Sequence, residues 1–239
     1  MGSLGLLLDK KDKLKLSESD ICDLFISPAI KEAKWNPLTQ IRREVTLTPG
    51  PVVVRGNLSS RNKKKKKFAD YVLSWRPSLP VAVVEAKDNT FSISHGLQQA
   101  LGYADMLQLP SAFSSNGDGF ASHNKCAGPN ENIETELGLE QFPTPDALWK
   151  RYKAFHSIED EEVSLVEQPY HFDAEGKEPR YYQIEAINRT VEAIAKGQKR
   201  VLLVMATGTG KTYTTFQIIW RLGGAKGTRL AKSLLRPCC

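Results

Sequence analysis

Two carboxylates and a lysine lie near the ends of two neighbouring segments that have the pattern of β-strands. Glu85 and Lys87 follow the apolar run Val81–Val84, and the two-residue period of a strand places both side chains on one face. Asp70 lies in the preceding strand-like segment, between apolar residues. A charge in a central strand is costly unless it is paired or binds a metal ion. If the strands pair, Asp70 and Glu85 can bind one divalent cation.

The chemistry open to such a group is phosphodiester hydrolysis. Mg²⁺ needs only one or two protein carboxylates and keeps positions for water and phosphate oxygens. It lowers the pKa of a bound water and offsets the charge that builds on the phosphate. Lys87 would orient the attacking water or stabilise the pentacoordinate phosphorane. The alternative is structural: Glu85 and Lys87 form an ion pair at a strand end, and Asp70 lies at a turn.

Two neighbouring features favour the catalytic interpretation. Residues 94–108 have the period of an amphipathic helix, and Gln99 and Tyr103 lie on one face of it, where they could contact Lys87 or a DNA backbone. A lysine run also ends three residues before Asp70; its members are Lys63, Lys64, Lys65, Lys66 and Lys67. Such a run is typical of a solvated loop, but at this position we predict that it binds DNA phosphates.

A second group of residues has the spacing of a phosphate-binding loop. The apolar run Val201–Met205 predicts a buried strand, and residues 211–222 predict a helix. The residues that would bind the phosphates are Gly208, Thr209, Gly210, Lys211 and Thr212. Glycines let backbone amides approach the phosphates, the lysine reaches the β- and γ-phosphates, and the threonine hydroxyl binds Mg²⁺. Met205 replaces the first glycine of the general pattern, but the rest is intact. The loop therefore predicts a bound ATP.

We predict a division of the chain into four parts, from its patterns of hydrophobicity and turn residues. Residues 1–16 form a tail, and residues 17–125 form an α/β core with antiparallel strands. Residues 126–176 form a polar connector with one short helix. Residues 177–239 open a second, parallel α/β unit, beginning with a helix that ends before Gly197.

Composition is that of an ordinary globular protein. Apolar residues make up 41% and charged residues 25% of the 239 residues, which argues against a disordered or fibrous chain. The apolar run Leu4–Leu8 is too short for a membrane span and lacks the features of a signal peptide. The cysteines have no metal-ligand spacing, and we assign no chemistry to the four scattered histidines. We expect a cytoplasmic protein without a membrane partner, and the net charge of +6 favours an acidic partner.

The first group resembles a known nuclease family. Asp70, Glu85-Ala86-Lys87 and the Gln99/Tyr103 pair are similar to the metal-dependent core shared by restriction endonucleases and RecB-like nucleases. The resemblance implies a restriction-endonuclease-like α/β fold in which Asp70 and Glu85 bind Mg²⁺. That family often has a further acidic residue upstream, for which this sequence offers three candidates: Glu18, Asp20 and Glu44.

The second group resembles the motors of superfamily-2 helicases. Residues 207–212, Thr-Gly-Thr-Gly-Lys-Thr, are similar to motif I of these proteins. Residues 179–183, Pro-Arg-Tyr-Tyr-Gln, resemble their glutamine motif, which implies that Gln183 recognises the adenine of ATP. The resemblance implies that residues 177–239 begin a RecA-like helicase domain.

The order of the two groups is that of the restriction (motor) subunit of type I restriction enzymes. The resemblance covers residues 17–222 and includes residues 39–44 and 114–120. It implies ATP-driven translocation and cleavage of unmethylated double-stranded DNA, in a complex with modification and specificity subunits.

Residues 223–239 no longer resemble that family, so we expect a truncated motor. The sequence has no acidic Walker B motif and no second RecA-like domain after Thr212, and we therefore expect no productive ATP hydrolysis from this chain. Two alternatives remain open. One is a repair-type helicase-nuclease, and the other is an inert remnant that only binds DNA or partner subunits.

Overall fold

The structure, a computed structural model, describes residues 9–48, 52–55, 58–61, 67–172 and 179–224. The chain forms two compact units. The first comprises residues 1–75 and 80–155, and the second comprises residues 76–79 and 156–239. The predicted connector, residues 126–176, is therefore divided between the two units.

A mixed six-stranded sheet forms the centre of the first unit. In chain order its strands are β1 (Ile41–Thr48), β4 (Lys67–Arg76), β5 (Leu79–Ala86), β6 (Ser111–Ser115), β7 (Phe120–Asn124) and β8 (Glu134–Leu137). Their order across the sheet is β1-β4-β5-β6-β7-β8. The β5–β6 pair is parallel, whereas β1–β4, β6–β7 and β7–β8 are antiparallel. Two short strands, β2 (Val52–Arg55) and β3 (Leu58–Arg61), form a separate hairpin. The predicted α/β core with antiparallel strands is present.

Strand β5 is buried along its whole length, as its apolar sequence predicts for a central strand. Its connection to β4 is a tight turn: only Pro77 and Ser78 separate the strands, and Ser78 takes a left-handed φ of 64°. Pro80 lies within β5. The tight turn makes β4 and β5 direct neighbours, which brings their functional residues together.

Short helices precede the sheet. They are α1 (Lys10–Lys13), α2 (Glu18–Ile21), a π-helical turn (Cys22–Ile26) and α3 (Ser27–Glu32). Ser17 caps α2 in a capping box with Asp20. Pro28 lies in the first turn of α3, where its missing N–H costs little.

Two longer helices complete the first unit. Helix α4 (Leu97–Met106) connects β5 to β6 and packs on β6. Helix α5 (Pro145–His156) begins after Thr144, whose Oγ1 accepts a hydrogen bond from the Ala147 N–H at 3.3 Å. The core on the two faces of the sheet includes Ile21, Ile26, Ile30, Trp35, Tyr71, Leu73, Phe113 and Phe120.

The described part of the second unit contains three longer helices. They are α6 (Asp160–Val166), α7 (Tyr181–Ala195) and α8 (Lys211–Gly224). Their shared core consists of Leu165, Tyr170, Ile187, Val191, Ile194, Ile218 and Leu222. With α5, α6 and β8, the predicted connector contains more regular structure than the one short helix expected.

The predicted strand at residues 201–205 is absent: these residues have no regular secondary structure. Leu202 and Val204 are 87% and 88% exposed. A strand needs a hydrogen-bonding neighbour, and within residues 156–172 and 179–224 no other strand is present to supply one. An apolar sequence pattern is therefore not sufficient to form a strand at residues 201–205.

Candidate functional site

The end of β5 brings together the three residues that the sequence singled out. Asp70 on β4 accepts a hydrogen bond at Oδ2 from the Ala86 N–H at 2.7 Å. The Lys87 ammonium donates to Glu85 Oε1 at 2.6 Å. Glu85 is only 2% exposed, and its Oε2 has no hydrogen-bond partner in the part of the chain that the structure describes. The group thus presents an unused carboxylate oxygen from a buried position.

This environment favours the protonated form of Glu85. Burial is the largest cause, and together with the neighbouring charge of Asp70 it raises the pKa of Glu85 to about 8, although Lys87 opposes the shift. The pKa of Lys87 is raised, which favours its charged form. Burial lowers this pKa, but the hydrogen bond and the charge of Glu85 raise it by more. A hard cation beside Asp70 and Glu85 would remove the cost of ionising both carboxyl groups.

Oxygen donors of this kind suit Mg²⁺. The described residues contain no cluster of three or more histidine, cysteine or acidic side chains arranged around a metal position. Asp70 and Glu85 offer two carboxylates, the number that Mg²⁺ uses when water and phosphate oxygens supply its other ligands. The unpartnered Oε2 of Glu85 is the feature that fits this ion.

Glu18 is the upstream acid that the structure brings to the group. Its Oε2 lies 3.8 Å from the Lys87 ammonium. Burial, followed by the charges of Asp70 and Asp88, raises the Glu18 pKa, while Lys87 opposes the shift. Of the other two candidates, Asp20 is engaged in the Ser17 capping box. Glu44 lies exposed on β1. The sequence did not distinguish among the three acids. In the structure, Glu18 is the one that lies beside Lys87.

Helix α4 presents the predicted glutamine–tyrosine pair. Gln99 donates a hydrogen bond from Nε2 to the Tyr103 hydroxyl at 2.7 Å, so the two meet as their spacing predicts. Tyr103 is buried, and burial is the first cause of its raised pKa, with further contributions from the charges of Glu85 and Asp70. Tyr103 is therefore within electrostatic range of the carboxylates.

The glycine loop has the backbone conformation that its sequence requires. Gly208 and Gly210 have φ values of 77° and 82°, which favour glycine, and helix α8 begins at Lys211. The Lys211 ammonium donates to the Met205 carbonyl at 3.0 Å. Thr209 and Thr212 complete the predicted set, placed within the loop and in the first turn of α8.

Gln183 connects this loop to helix α7. Its Oε1 accepts from the Arg180 N–H at 2.8 Å, and its Nε2 donates to the Thr209 carbonyl at 3.0 Å. A side chain at Gly210 would collide with the Gln183 amide. The predicted adenine-binding glutamine thus caps its own helix and contacts the phosphate-binding loop.

The predicted DNA-binding lysines lie almost entirely outside the described residues. Lys63 to Lys66 belong to the part of the chain that is not described. Lys67 is the exposed first residue of β4. Asp70 lies three residues after Lys67 in the same strand.

Known proteins match both parts of the chain. Residues 176–231 match the family described as "Type III restriction enzyme, res subunit". The EcoAI endonuclease subunit, a type I restriction enzyme subunit of Escherichia coli, is 46% identical over 90% of this chain and 26% of its own length. The EcoKI endonuclease subunit of Escherichia coli K12 is 27% identical over 65% of this chain and 16% of that subunit.

A solved structure agrees with these matches. It is a fragment of an HsdR subunit of a type I restriction enzyme from Vibrio vulnificus YJ016, and it is 39% identical to this chain with a TM-score of 0.74. The match covers 90% of this chain and 39% of that one. This chain is a relative of the type I restriction endonuclease subunits. The predicted resemblance to the type I restriction subunits is confirmed, and the chain spans about a quarter of the length of the EcoAI subunit.

Two side chains that the sequence patterns did not single out bind the turn at residues 116–119 of this type I restriction subunit relative. Asn89 donates from Nδ2 to the Asn116 carbonyl and to Asp118 Oδ2, both at 3.0 Å. Lys13, in the predicted tail, donates to the Gly117 carbonyl at 2.7 Å and to Asp118 at 2.6 Å. Residues 116–119 have the sequence Asn-Gly-Asp-Gly, and nothing in this local pattern indicates these partners.

In the described part of this chain, no helix has the length and apolar composition of a membrane-spanning segment.

Proposed function

We propose that this chain carries the Mg²⁺-dependent DNA endonuclease site of a type I restriction enzyme. The observation that carries the proposal is the convergence of Asp70, Glu85 and Lys87, with one buried Glu85 oxygen left without a hydrogen bond. The 46% identity to a subunit named as an endonuclease supports it. No observation favours the repair-type alternative.

The domain assignment follows from this proposal. Residues 17–125 form a restriction-endonuclease-like core of the RecB-like kind, and residues 126–176 connect it to the next part. Residues 177–239 begin a RecA-like superfamily-2 domain, in which Gly208 to Thr212 bind the phosphates of ATP and Gln183 contacts its adenine. The match of residues 176–231 to a restriction-enzyme subunit family supports the last assignment.

The reaction is the attack of water on a phosphodiester, in which a P–O bond to the DNA strand breaks. When bound, Mg²⁺ supplies an activated water and offsets the charge that develops on the phosphate. Asp70 and Glu85 would hold the ion, and Glu85 would first release the proton that its buried position favours. Lys87, fixed at 2.6 Å by Glu85, orients the attacking water or stabilises the phosphorane. Glu18, with its Oε2 3.8 Å from the Lys87 ammonium, adds a second negative charge beside it.

The wider assembly is proposed by analogy with the complete subunits. Its partners would be double-stranded DNA and the modification and specificity subunits, in the cytoplasm. The basic residues Lys63 to Lys67 would bind the DNA backbone. ATP would drive translocation, as the resemblance to superfamily-2 motors implies.

Cleavage of supercoiled plasmid in Mg²⁺ or Mn²⁺ tests the proposal. We expect the natural chain to nick the plasmid, and Asp70→Ala and Lys87→Ala to abolish nicking. Lys125→Ala is the matched control, because this lysine makes a 2.5 Å ion pair with Asp105, outside the proposed catalytic group. It should cleave like the natural chain.

Calorimetric titration with Mg²⁺ provides a second measurement that does not require activity. The natural chain should bind the ion, and Asp70→Ala should not. Equal binding by both chains would contradict the proposed centre. DNA binding without any Mg²⁺ binding would favour the inert remnant.

A further inference from the structure

Two exposed aromatic side chains lie on the loop between β5 and α4. The rings of Phe91 and His95 are stacked, with centroids 4.2 Å apart and planes 25° from parallel. Phe91 is 41% exposed, and His95 is exposed as well. The mechanism proposed above uses neither residue. Such a ring presents a π-face on which another flat group can stack.

The loop that carries this pair is held in place. Asn116 donates from Nδ2 to the Phe91 carbonyl at 2.8 Å. Asn116 is itself bound through its carbonyl to Asn89 at 3.0 Å, and both asparagines are buried. The pair is therefore ordered before any ligand arrives, which reduces the entropy cost of binding.

The pair borders the proposed catalytic group. His95 directly precedes Gly96, and a Cβ at Gly96 would lie 2.9 Å from Cγ of Glu85. At the other end of the loop, Asp88 follows Lys87. Hydrogen bonds from Thr90 are the first cause of the lowered Asp88 pKa, and the charges of Lys87 and His95 lower it further. His95 is thus the chain neighbour of Gly96, whose backbone packs against the side chain of Glu85, the proposed metal ligand.

We propose that Phe91 and His95 form a stacking site for an unpaired DNA base next to the phosphate that is cleaved. The inference rests on the proposed function, since it needs a phosphate at Asp70 and Glu85. Every base has a π-face, so stacking on Phe91 tolerates any sequence. Bases inside a duplex are already stacked on each other and cannot reach the ring. The site therefore favours a single-stranded or locally unpaired strand over an intact duplex.

Equilibrium binding of short labelled DNA tests this inference, with Ca²⁺ in place of Mg²⁺ to avoid cleavage. The probes are a 12-nucleotide single strand containing 2-aminopurine and a hairpin duplex of the same sequence. We expect the natural chain to quench 2-aminopurine, and Phe91→Ala to lose the quenching. Phe91→Ala should weaken single-strand binding about tenfold, as expected for the loss of one base–aromatic stack. Duplex binding should change less than twofold.

Two variants serve as controls. Phe91→Trp keeps a stacking surface and should restore both quenching and affinity. Phe155→Ala removes a phenylalanine of similar exposure, 38%, on α5 and should bind like the natural chain. Unchanged single-strand binding in Phe91→Ala would overturn the inference, as would equal losses for single strand and duplex.

Failure of the proposed function has a different signature. If Asp70→Ala leaves Mg²⁺ binding and cleavage unchanged, the nuclease proposal is wrong whatever Phe91 does. If Asp70→Ala abolishes cleavage while Phe91→Ala leaves single-strand binding intact, only the stacking site is wrong.

Discussion

Gly96 lies directly against the side chain of Glu85. A Cβ added at Gly96 would be 2.9 Å from Cγ of Glu85 and 2.8 Å from Oγ of Ser114, which itself accepts a hydrogen bond from the Gly96 N–H at 3.1 Å. Distances under 3 Å leave no room for a methyl group. The N-terminus of α4 therefore approaches β5 closely because residue 96 has no side chain.

Replacing this glycine should disturb the catalytic carboxylate. We expect Gly96→Ala to displace Glu85 and to lower the rate of plasmid cleavage at least tenfold, with weaker Mg²⁺ binding in calorimetry. Gly102→Ala is the matched control on the same helix, since no atom lies within 4 Å of its added Cβ. It should keep full activity and raise stability by about 0.5–1 kcal/mol, because alanine favours the helix. Equal activity in the two variants would show that Glu85 does not depend on this contact.

The pKa of Glu85 predicts a pH dependence of stability in the metal-free protein. The folded-state pKa is about 8, above the ordinary value of 4.5, so the folded chain binds a proton that the unfolded chain has lost. The bound proton therefore adds to the free energy of unfolding. This stabilisation is complete below pH 4.5 and is lost as the pH rises through 8. We expect urea midpoints measured in EDTA to fall between pH 5 and 8.5, and Glu85→Gln to show a smaller fall. An identical pH profile for Glu85→Gln would contradict the assignment.

Mg²⁺ binding should show the opposite trend. The ion needs the ionised carboxylate, so its affinity should increase from pH 6 to above 8 as Glu85 loses its proton. Calorimetric titration at several pH values measures this, together with the protons released. An affinity that does not change over this range would show that Glu85 does not bind the ion.

Lys13 should contribute to the stability of the first unit. Its ammonium bonds to the Gly117 carbonyl and to Asp118, and it lies 4.0 Å from the ring centroid of Phe25. Its side chain is 13% exposed, so we expect Lys13→Ala to cost about 1–2 kcal/mol in urea denaturation. Lys15→Ala, which breaks an exposed ion pair with Asp12, should cost at most about 0.5 kcal/mol. Equal losses would mean that Lys13 contributes no more than a surface charge.

Arg221 should be essential to the second unit. Its buried guanidinium donates to the carbonyls of Val166 and Gln168 and to Asn188 Oδ1, at 2.5, 2.9 and 2.7 Å. Arg221→Leu would leave these buried acceptors without that donor, and we expect a loss of about 3 kcal/mol or more in the unfolding of this unit. The exposed Arg200→Leu should change it by less than about 0.5 kcal/mol. Thermal unfolding monitored by circular dichroism would distinguish the two.

The sequence by itself determined the features that depend on neighbours along the chain. The apolar run before Glu85 predicts a buried strand, and β5 is one. The turn residues 116–119 predict the β6–β7 hairpin, and the Thr144 cap predicts the start of α5. In each case the period or the capping chemistry lies within a few residues and is readable without a fold.

Only the tertiary structure decided which distant residues meet. Three upstream acids were equivalent as sequence, and folding brings Glu18 to Lys87. Lys13 belonged to a predicted tail, yet it bonds to a turn that lies 104 residues further on. Conversely, residues 201–205 have the pattern of a strand but form none, because the described part of their unit offers no partner strand. Local pattern sets what a segment can become, whereas hydrogen bonding and burial across the fold decide whether it does.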